Sequence, residues 1–378
     1  MNRAALKRND SASERVLYMA MELSHKHWKL VFGDGVKRRQ VTIEAGHRME
    51  LGEAIRKAKE RFGLHQDAHT VSCYEAGRDG FWVHRYLVSL GIENQVVDSS
   101  SIETNRRGRR AKTDRLDGDR LLTMLVRYWG GERGLWSVVR VPSVEEEDAR
   151  RGHREMERLR KERTAHRNRL TSLLVTQGIL LEPGRDFLKR LETLSLWDGC
   201  PLPAELKGEL EREYTRLKMV EEQLRLLEKT RTERLKQADV KSLQGVARLM
   251  LLRAMGPSSA WVLVMEFFGW RRFRNRRELA SSAGLTGTPY ASGESRRDQG
   301  ISKAGNRRVR TMMIELAWLW LRYQPDSALS RWFRERFAGG GSRMRRVGIV
   351  ALARRLLIAL WRYLEEGLVP EGAELKKV

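Results

Sequence analysis

The sequence predicts an α/β domain at its amino-terminal end, then an arm of two long charged helices, then a mostly α-helical domain. Three observations predict it. Apolar runs of strand length alternate with helical periodicity over 16–130; an apolar stripe crosses an otherwise charged segment over 144–240; and 243–378 is Trp-rich, Gly-punctuated and basic. At 378 residues the chain exceeds the usual single-domain size, and each part is long enough to bury its own core.

Residues 1–15 form a basic tail without the apolar core of a signal peptide. The run from Val16 to Glu22 is apolar on both faces, as a central buried strand should be, and it ends on an acid. His27 to Phe32 and Val36 to Ile43 read as strands joined by the Gly33-Asp34-Gly35 turn. A helix follows over 50–62, then a strand over 70–74 with Glu75 directly after it, a helix over 80–90 and a strand over 94–98. The second and third strands are expected to form an antiparallel edge. Residues 99–112 turn polar and then intensely basic, and Thr113 caps a helix running to Trp129 with Asp114 and Asp117 in its first turn.

In the arm, Leu206, Leu210, Tyr214, Leu217, Val220, Leu224 and Leu227 step by three or four, while Pro183, Pro201 and Pro203 break the helix over 178–203. An antiparallel coiled coil is expected, packing on itself or joining copies of the chain as a dimer or tetramer. The last domain predicts helices over 243–255, 258–268, 276–283, 306–323, 328–337 and 344–367, with Trp318, Trp320, Trp332 and Trp361 in its core. Between the third and fourth helices, 284–305 reads as a long loop, a kind of segment that is usually functional or disordered.

Lys and Arg number 73 against 49 Asp and Glu, a net charge of +24 in a chain that is 41% hydrophobic. That excludes a chain disordered for want of apolar residues and points to a polyanionic partner, nucleic acid ahead of a membrane surface. Cys73 and Cys200 are too few for a disulfide framework or a Cys-rich zinc site, so a reducing cytoplasmic compartment is expected. The longest apolar stretches are about half a membrane span, so no transmembrane segment is predicted.

Glu22 and Glu75 stand at the ends of predicted parallel strands, where open α/β sheets place their sites. Asp114 and Asp117 share a helix face. Four carboxylates brought together would need divalent cations, and such hard oxygen donors suit Mg²⁺ or Mn²⁺ in a two-metal phosphoryl-transfer site. Singly, each acid is as well explained as a turn, cap or helix-dipole residue. Asp98 and Asp119 are lower-ranked substitutes. Nucleic-acid contacts are expected from Arg106, Arg107, Arg109, Arg110 and Lys112, from Arg271, Arg272, Arg274, Arg276 and Arg277, and from Arg296, Arg297, Lys303, Arg307, Arg308 and Arg310. Phe273 and Trp270 are placed to stack on bases.

Strand-end Glu22, Tyr74-Glu75-Ala76-Gly77 and Lys112-Thr113-Asp114-Arg115-Leu116-Asp117 resemble the amino-terminal domain of the DEDD transposases of bacterial insertion sequences, the one-ten family. Ala283-Gly284-Leu285-Thr286, Ser292-Gly293 and the run from Gly300 to Arg310 resemble its second conserved domain. The resemblance implies a ribonuclease H-like (RuvC-like) fold near the amino terminus, with Glu22, Glu75, Asp114 and Asp117 as a Mg²⁺-binding tetrad. Glu22 departs from the usual aspartate, and its extra methylene moves the carboxylate by more than about an ångström. The resemblance also implies a serine nucleophile, carried onto Ser292 with Ser295 and Ser302 as alternatives, a structured guide (bridge) RNA, and donor and target DNA near the bacterial nucleoid. Two readings from other classes stay open: a metal-dependent, structure-selective DNA nuclease resembling a junction resolvase, and a non-catalytic nucleic-acid-binding scaffold.

Overall fold

The computed structural model describes residues 15–102, 114–237, 240–292 and 295–376; the side chains of 100, 114–117, 289–292 and 295–299 lie outside that description. The chain separates into two compact units, 1–142 and 143–378.

The first unit is built on β1 (Leu17–Leu23), β2 (His27–Gly33), β3 (Arg38–Glu44), β4 (Thr70–Glu75) and β5 (Glu93–Val97). Their order is β3-β2-β1-β4-β5, with the β1–β2 and β2–β3 pairs antiparallel and the β1–β4 and β4–β5 pairs parallel. The antiparallel edge is therefore where the sequence puts it. Leu17, Met19 and Met21 face a core shared with α1 (Arg48–Arg61) and α2 (Trp82–Ser89), while Ala20 faces a second core shared with α3 (Asp114–Trp129). Burial on both faces explains the unbroken apolar run. At the β2–β3 turn Asp34 Oδ1 accepts hydrogen bonds from the amides of Val36 (2.9 Å) and Lys37 (2.6 Å), so β3 starts at Arg38, two residues later than predicted. Cys73 is buried in β4, and burial pushes its thiol far above the ordinary range; Cys200 is exposed.

The second unit opens with α4 (Val144–Asp148) and α5 (Arg151–Val175), then α6 (Phe187–Leu191) and α7 (Ala204–Gln237). α5 and α7 run antiparallel: Met156 and Leu159 share a core with Val220 and Leu224, while Leu170 and Leu174 share another with Leu210, Tyr214 and Leu217. Beside the second of these cores sits a charge that the apolar stripe does not announce. Glu213 is 1% exposed, and it accepts hydrogen bonds from His166 Nδ1 at 2.8 Å, Arg216 Nη1 at 2.9 Å and the Arg169 guanidinium.

The helical body follows with α8 (Lys241–Met250), α9 (Pro257–Leu263), a π-helical turn (Val264–Phe268) and α10 (Arg276–Ser282). It continues through β6 (Gly287–Ser292), β7 (Ser295–Ile301), α11 (Arg307–Tyr323), α12 (Ala328–Phe337) and α13 (Ser342–Glu366). α8 stops short of the predicted 255, ahead of Ala254 at φ 76°. The expected loop over 284–305 is instead a two-stranded antiparallel hairpin. Its glycines, serines and arginines hide it because they carry little of the β-branched patterning that marks a strand. Trp320 is fully buried and donates from Nε1 to Ser327 Oγ at 2.9 Å, whereas Trp318 is 46% exposed and does not join the core as predicted. No helix among the described residues is long and apolar enough to cross a membrane.

Candidate active site and nucleic-acid surface

The β1–β4 register runs from Leu17 opposite Thr70 to Met21 opposite Tyr74. One step further sets Glu22 beside Glu75, on adjacent parallel strands about 4.8 Å apart and on the same face of the sheet. That face is the one α3 covers, since Ala20 and Cys73, two residues before each acid, belong to the α3 core.

The direction of α3 follows from two close approaches. A Cβ on Gly118 would lie 2.8 Å from Val31 Cγ2, and one on Gly33 would lie 3.1 Å from Leu122 Cδ2. Val31 is paired with Ala20, and Gly33 with Tyr18. Going from Gly118 to Leu122 thus descends β1 from Ala20 to Tyr18, so α3 runs antiparallel to it. Stepping back one turn from Gly118 to Asp114 climbs about 6 Å, nearly the same as the two strand residues from Ala20 to Glu22. The first turn of α3 lies one turn before the sheet-facing Gly118 and Leu121. The topology therefore gathers Glu22, Glu75 and the first turn of α3 at one end of the sheet.

Hard carboxylate donors in that arrangement are the chemistry Mg²⁺ or Mn²⁺ requires. Among the described residues no three His, Cys, Asp or Glu side chains form a metal-binding group, and the side chains of Asp114 and Asp117 lie outside those residues. Asp98 follows Val97, whose side chain occupies the α3 core, so strand alternation turns the next position away from that face. Asp119 falls two residues past Asp117, off the shared face. Arg106, Arg107, Arg109, Arg110 and Lys112 lie outside the described residues.

In the second unit, Ser292 and Ser295 are cross-strand partners at the closed end of the β6–β7 hairpin. Ser302 lies just beyond the other end, where its amide donates to the Thr286 carbonyl at 2.8 Å. About six residues of strand, roughly 20 Å, separate the two locations. The base is clamped by two glycines. At Gly284 (φ 68°) a Cβ would lie 2.1 Å from the Ala304 carbonyl oxygen, and at Gly305 (φ 100°) one would lie 2.3 Å from that of Ser282.

The basic runs meet around this base. Arg272, Arg274, Arg276 and Arg277 are exposed at the start of α10, whose far end receives the Asn306 amide on Ser282 O at 2.8 Å. Lys303, held at φ 56°, and Arg307 are exposed beside it. Arg308 is committed to Glu157 at 2.8 Å, and Arg310 leans on the Ala283 carbonyl at 3.4 Å. The side chains of Arg296 and Arg297 lie outside the described residues. Trp270 corrects an expectation: at 5% exposure it is too deeply buried to stack on a base. Phe273 packs on Phe267, with ring centroids 4.7 Å apart.

Sequence reasoning missed the buried carboxylate of Glu266, in the π-helical turn. It receives His153 Nε2 at 2.8 Å and a two-pronged grip from Arg154, at 2.6 and 2.8 Å. Burial alone would raise this carboxyl; the hydrogen bonds and charges of Arg154 and His153 overcome it and hold Glu266 well below the usual carboxylate range. An acid inside an apolar run was the only available signal.

Comparison with known proteins supplies the remaining evidence. Residues 246–332, from α8 to α12, match the family model described as Transposase IS116/IS110/IS902 family. The Sinorhizobium fredii protein y4rJ, which carries a transposase name, is 43% identical over 377 residues, covering 95% of this chain and 94% of its own. The transposase for insertion sequence element IS1328 of Yersinia enterocolitica is 27% identical over 232 residues, covering 60% and 66%. The one for IS1111A of Coxiella burnetii is 25% identical over 284 residues, 74% of each chain. On the strength of a match spanning almost its whole length, this chain belongs to the IS116/IS110/IS902 family of transposases.

Proposed function

We propose that the chain mobilises an insertion sequence by RNA-guided cleavage and exchange of DNA strands, using Ser292 as nucleophile and the carboxylates Glu22, Glu75, Asp114 and Asp117. The observation that carries this is the convergence of two strand-end glutamates with the first turn of α3. The strand order β3-β2-β1-β4-β5 supports a ribonuclease H-like reading of the first unit. The four carboxylates would hold Mg²⁺ or Mn²⁺, which supplies charge neutralisation at a scissile phosphate.

Ser292 Oγ forms a bond to phosphorus as the bond from phosphorus to the departing deoxyribose oxygen breaks, and the hydroxyl proton leaves with that oxygen. A phosphoserine link conserves the phosphoester for rejoining to a second strand. Exposed Arg272, Arg274, Arg276, Arg277, Lys303 and Arg307 hold backbone phosphates, giving salt-dependent affinity for the guide RNA and DNA. The paired helices α5 and α7 are a coiled-coil arm through which copies of the chain associate.

The test is to incubate the protein with DNA carrying the element ends, with and without RNA transcribed from the element's flank. A denaturant-resistant protein–DNA adduct that forms with wild type and not with Ser292→Ala is expected. Recombination without any adduct would overturn the serine mechanism and favour a metal-dependent nuclease. Asp114→Asn and Glu75→Gln should abolish recombination while retaining binding; full activity in both would leave the carboxylates no role.

A further inference from the structure

The turn between α12 and α13 and the first two turns of α13 concentrate positive charge. From 336 to 364 the sequence holds seven arginines and no aspartate or glutamate. Away from the turn, Arg334 donates to the Pro325 carbonyl at 2.7 Å, the Arg355 guanidinium lies 4.0 Å from the centroid of the Trp332 ring, and Arg362 reaches Glu366 at 3.2 Å. At the turn itself Arg336, Arg343, Arg345 and Arg346 are all exposed, and among the described residues none of them has a carboxylate within ion-pair distance.

The helix there projects past its core. α13 joins the core at Gly348, where an added Cβ would lie 2.5 Å from Phe337 Cγ and 2.9 Å from Phe333 Cε2. Before that point Gly341 to Val347 are exposed at every position, nearly two turns and so all sides of the helix. This makes a rod about 10 Å long and, with side chains, about 10–12 Å across. Met344 and Val347, 50% and 55% exposed, lie three residues apart on one side of it, with Arg343 and Arg346 on one flank and Arg345 on the other.

A folded domain gains nothing from gathering cations without counter-charge, beside exposed apolar side chains, on a helix end that packs on nothing. The arrangement suits a polyanion with a groove that admits a helix. The major groove of B-form DNA is about 12 Å wide and about 8.5 Å deep, with phosphates on both rims, guanine acceptors on its floor and thymine methyls for apolar contact. That of A-form RNA is too narrow. We propose that the start of α13 enters the major groove of duplex DNA, Arg343, Arg345 and Arg346 reaching base edges and rim phosphates while Arg336, from α12, holds the backbone alongside. This surface is separate from the arginines around the β6–β7 base, and its assignment rests on the nucleic-acid reading above.

The full-length wild type would be compared with Arg343→Gln/Arg345→Gln/Arg346→Gln and with a charge-matched control at exposed positions of the arm, Lys189→Gln/Arg190→Gln/Arg212→Gln. Binding would be read by fluorescence anisotropy across a salt series on duplex DNA, on the same duplex with glucosylated hydroxymethylcytosine in place of cytosine, and on a structured RNA hairpin. Glucosylation fills the major groove and leaves the phosphates unchanged. On plain duplex the α13 variant should lose about tenfold or more in affinity at 0.1 M salt and about two to three from the salt slope, and the control much less. Wild type should bind the glucosylated duplex about tenfold more weakly than the plain one, a difference the α13 variant should lose, with RNA binding unchanged. The substituted side chains touch no core, so the melting temperature should stay within about 2 °C of wild type. If it falls further, the three single variants are read instead, each expected to reduce the slope by about one.

An unchanged salt slope on duplex DNA, in the triple variant or in all three single ones, overturns the proposal. Equal losses in the α13 variant and the control would show a diffuse effect of charge and overturn it as well. So would wild type that binds plain and glucosylated duplex equally, or a loss confined to the RNA hairpin, which would assign the surface to RNA. Wild type that binds neither DNA nor RNA would instead be a failure of the functional reading.

Discussion

Arg154 and Glu266 are 112 residues apart in sequence and joined by two parallel hydrogen bonds, tying α5 to the π-helical turn that follows α9. A bidentate pair of this kind fixes orientation as well as distance. It anchors one end of the helical arm to the body of the second unit.

Arg154→Ala should therefore destabilise the protein by about 2 kcal/mol, less than the roughly 3–5 of a fully enclosed pair because 41% of the Arg154 side chain reaches solvent. Urea unfolding at neutral pH measures it. A loss below about 0.5 kcal/mol would show that His153 alone satisfies Glu266.

The same carboxylate sets a pH dependence. Its folded value is depressed, so its contribution is present above the unfolded glutamate value near 4.3 and is lost as pH falls through the window below it. Glu266→Gln should be less stable than wild type at pH 7, with the gap closing towards pH 3. Parallel stability curves for the two proteins would contradict the assignment.

At Gly118 an added methyl meets Val31 Cγ2 at 2.8 Å. Gly118→Ala gains about 1 kcal/mol of helix propensity and loses about 1–3 to overpacking, so stability should fall by no more than about 2 kcal/mol. The outward shift of α3 should nevertheless lower transposition frequency, because it separates Asp114 and Asp117 from Glu22 and Glu75. Combining it with Val31→Ala should restore activity; failure to restore would detach the packing of α3 from the chemistry.

Gly284 allows no such relief, since its neighbour is a backbone carbonyl and its φ is 68°. Gly284→Ala should cost about 3 kcal/mol or more and suppress transposition even where the remaining protein stays folded. Melting temperature and a genetic transposition assay, read together, check both parts.

The sheet was legible because β1, β2, β4 and β5 carry apolar runs bounded by turns, and the acids were legible because strand ends and a helix first turn are positions that sequence can mark. That the two strand-end glutamates and the first turn of α3 come to one end of the sheet depends on the β1–β4 register and the direction of α3, and neither is written locally. The β6–β7 hairpin stayed hidden behind a turn-forming composition. The contact of Arg150 with the Trp270 ring and the Glu266 anchor stayed hidden for another reason: each joins the start of α5 to a residue more than a hundred positions away, and such partners acquire meaning only when the chain is folded.

The two cysteines are unequal in a way that can be put to use. Cys73 is enclosed within β4, with its thiol held protonated by burial, while Cys200 stands in the open between α6 and α7, at the end of the arm remote from the Arg154 anchor. Maleimide chemistry on the folded, unmodified protein should therefore deliver one fluorophore to one known place, and its rotational freedom would report directly on whether that end of the arm meets another molecule during the reaction.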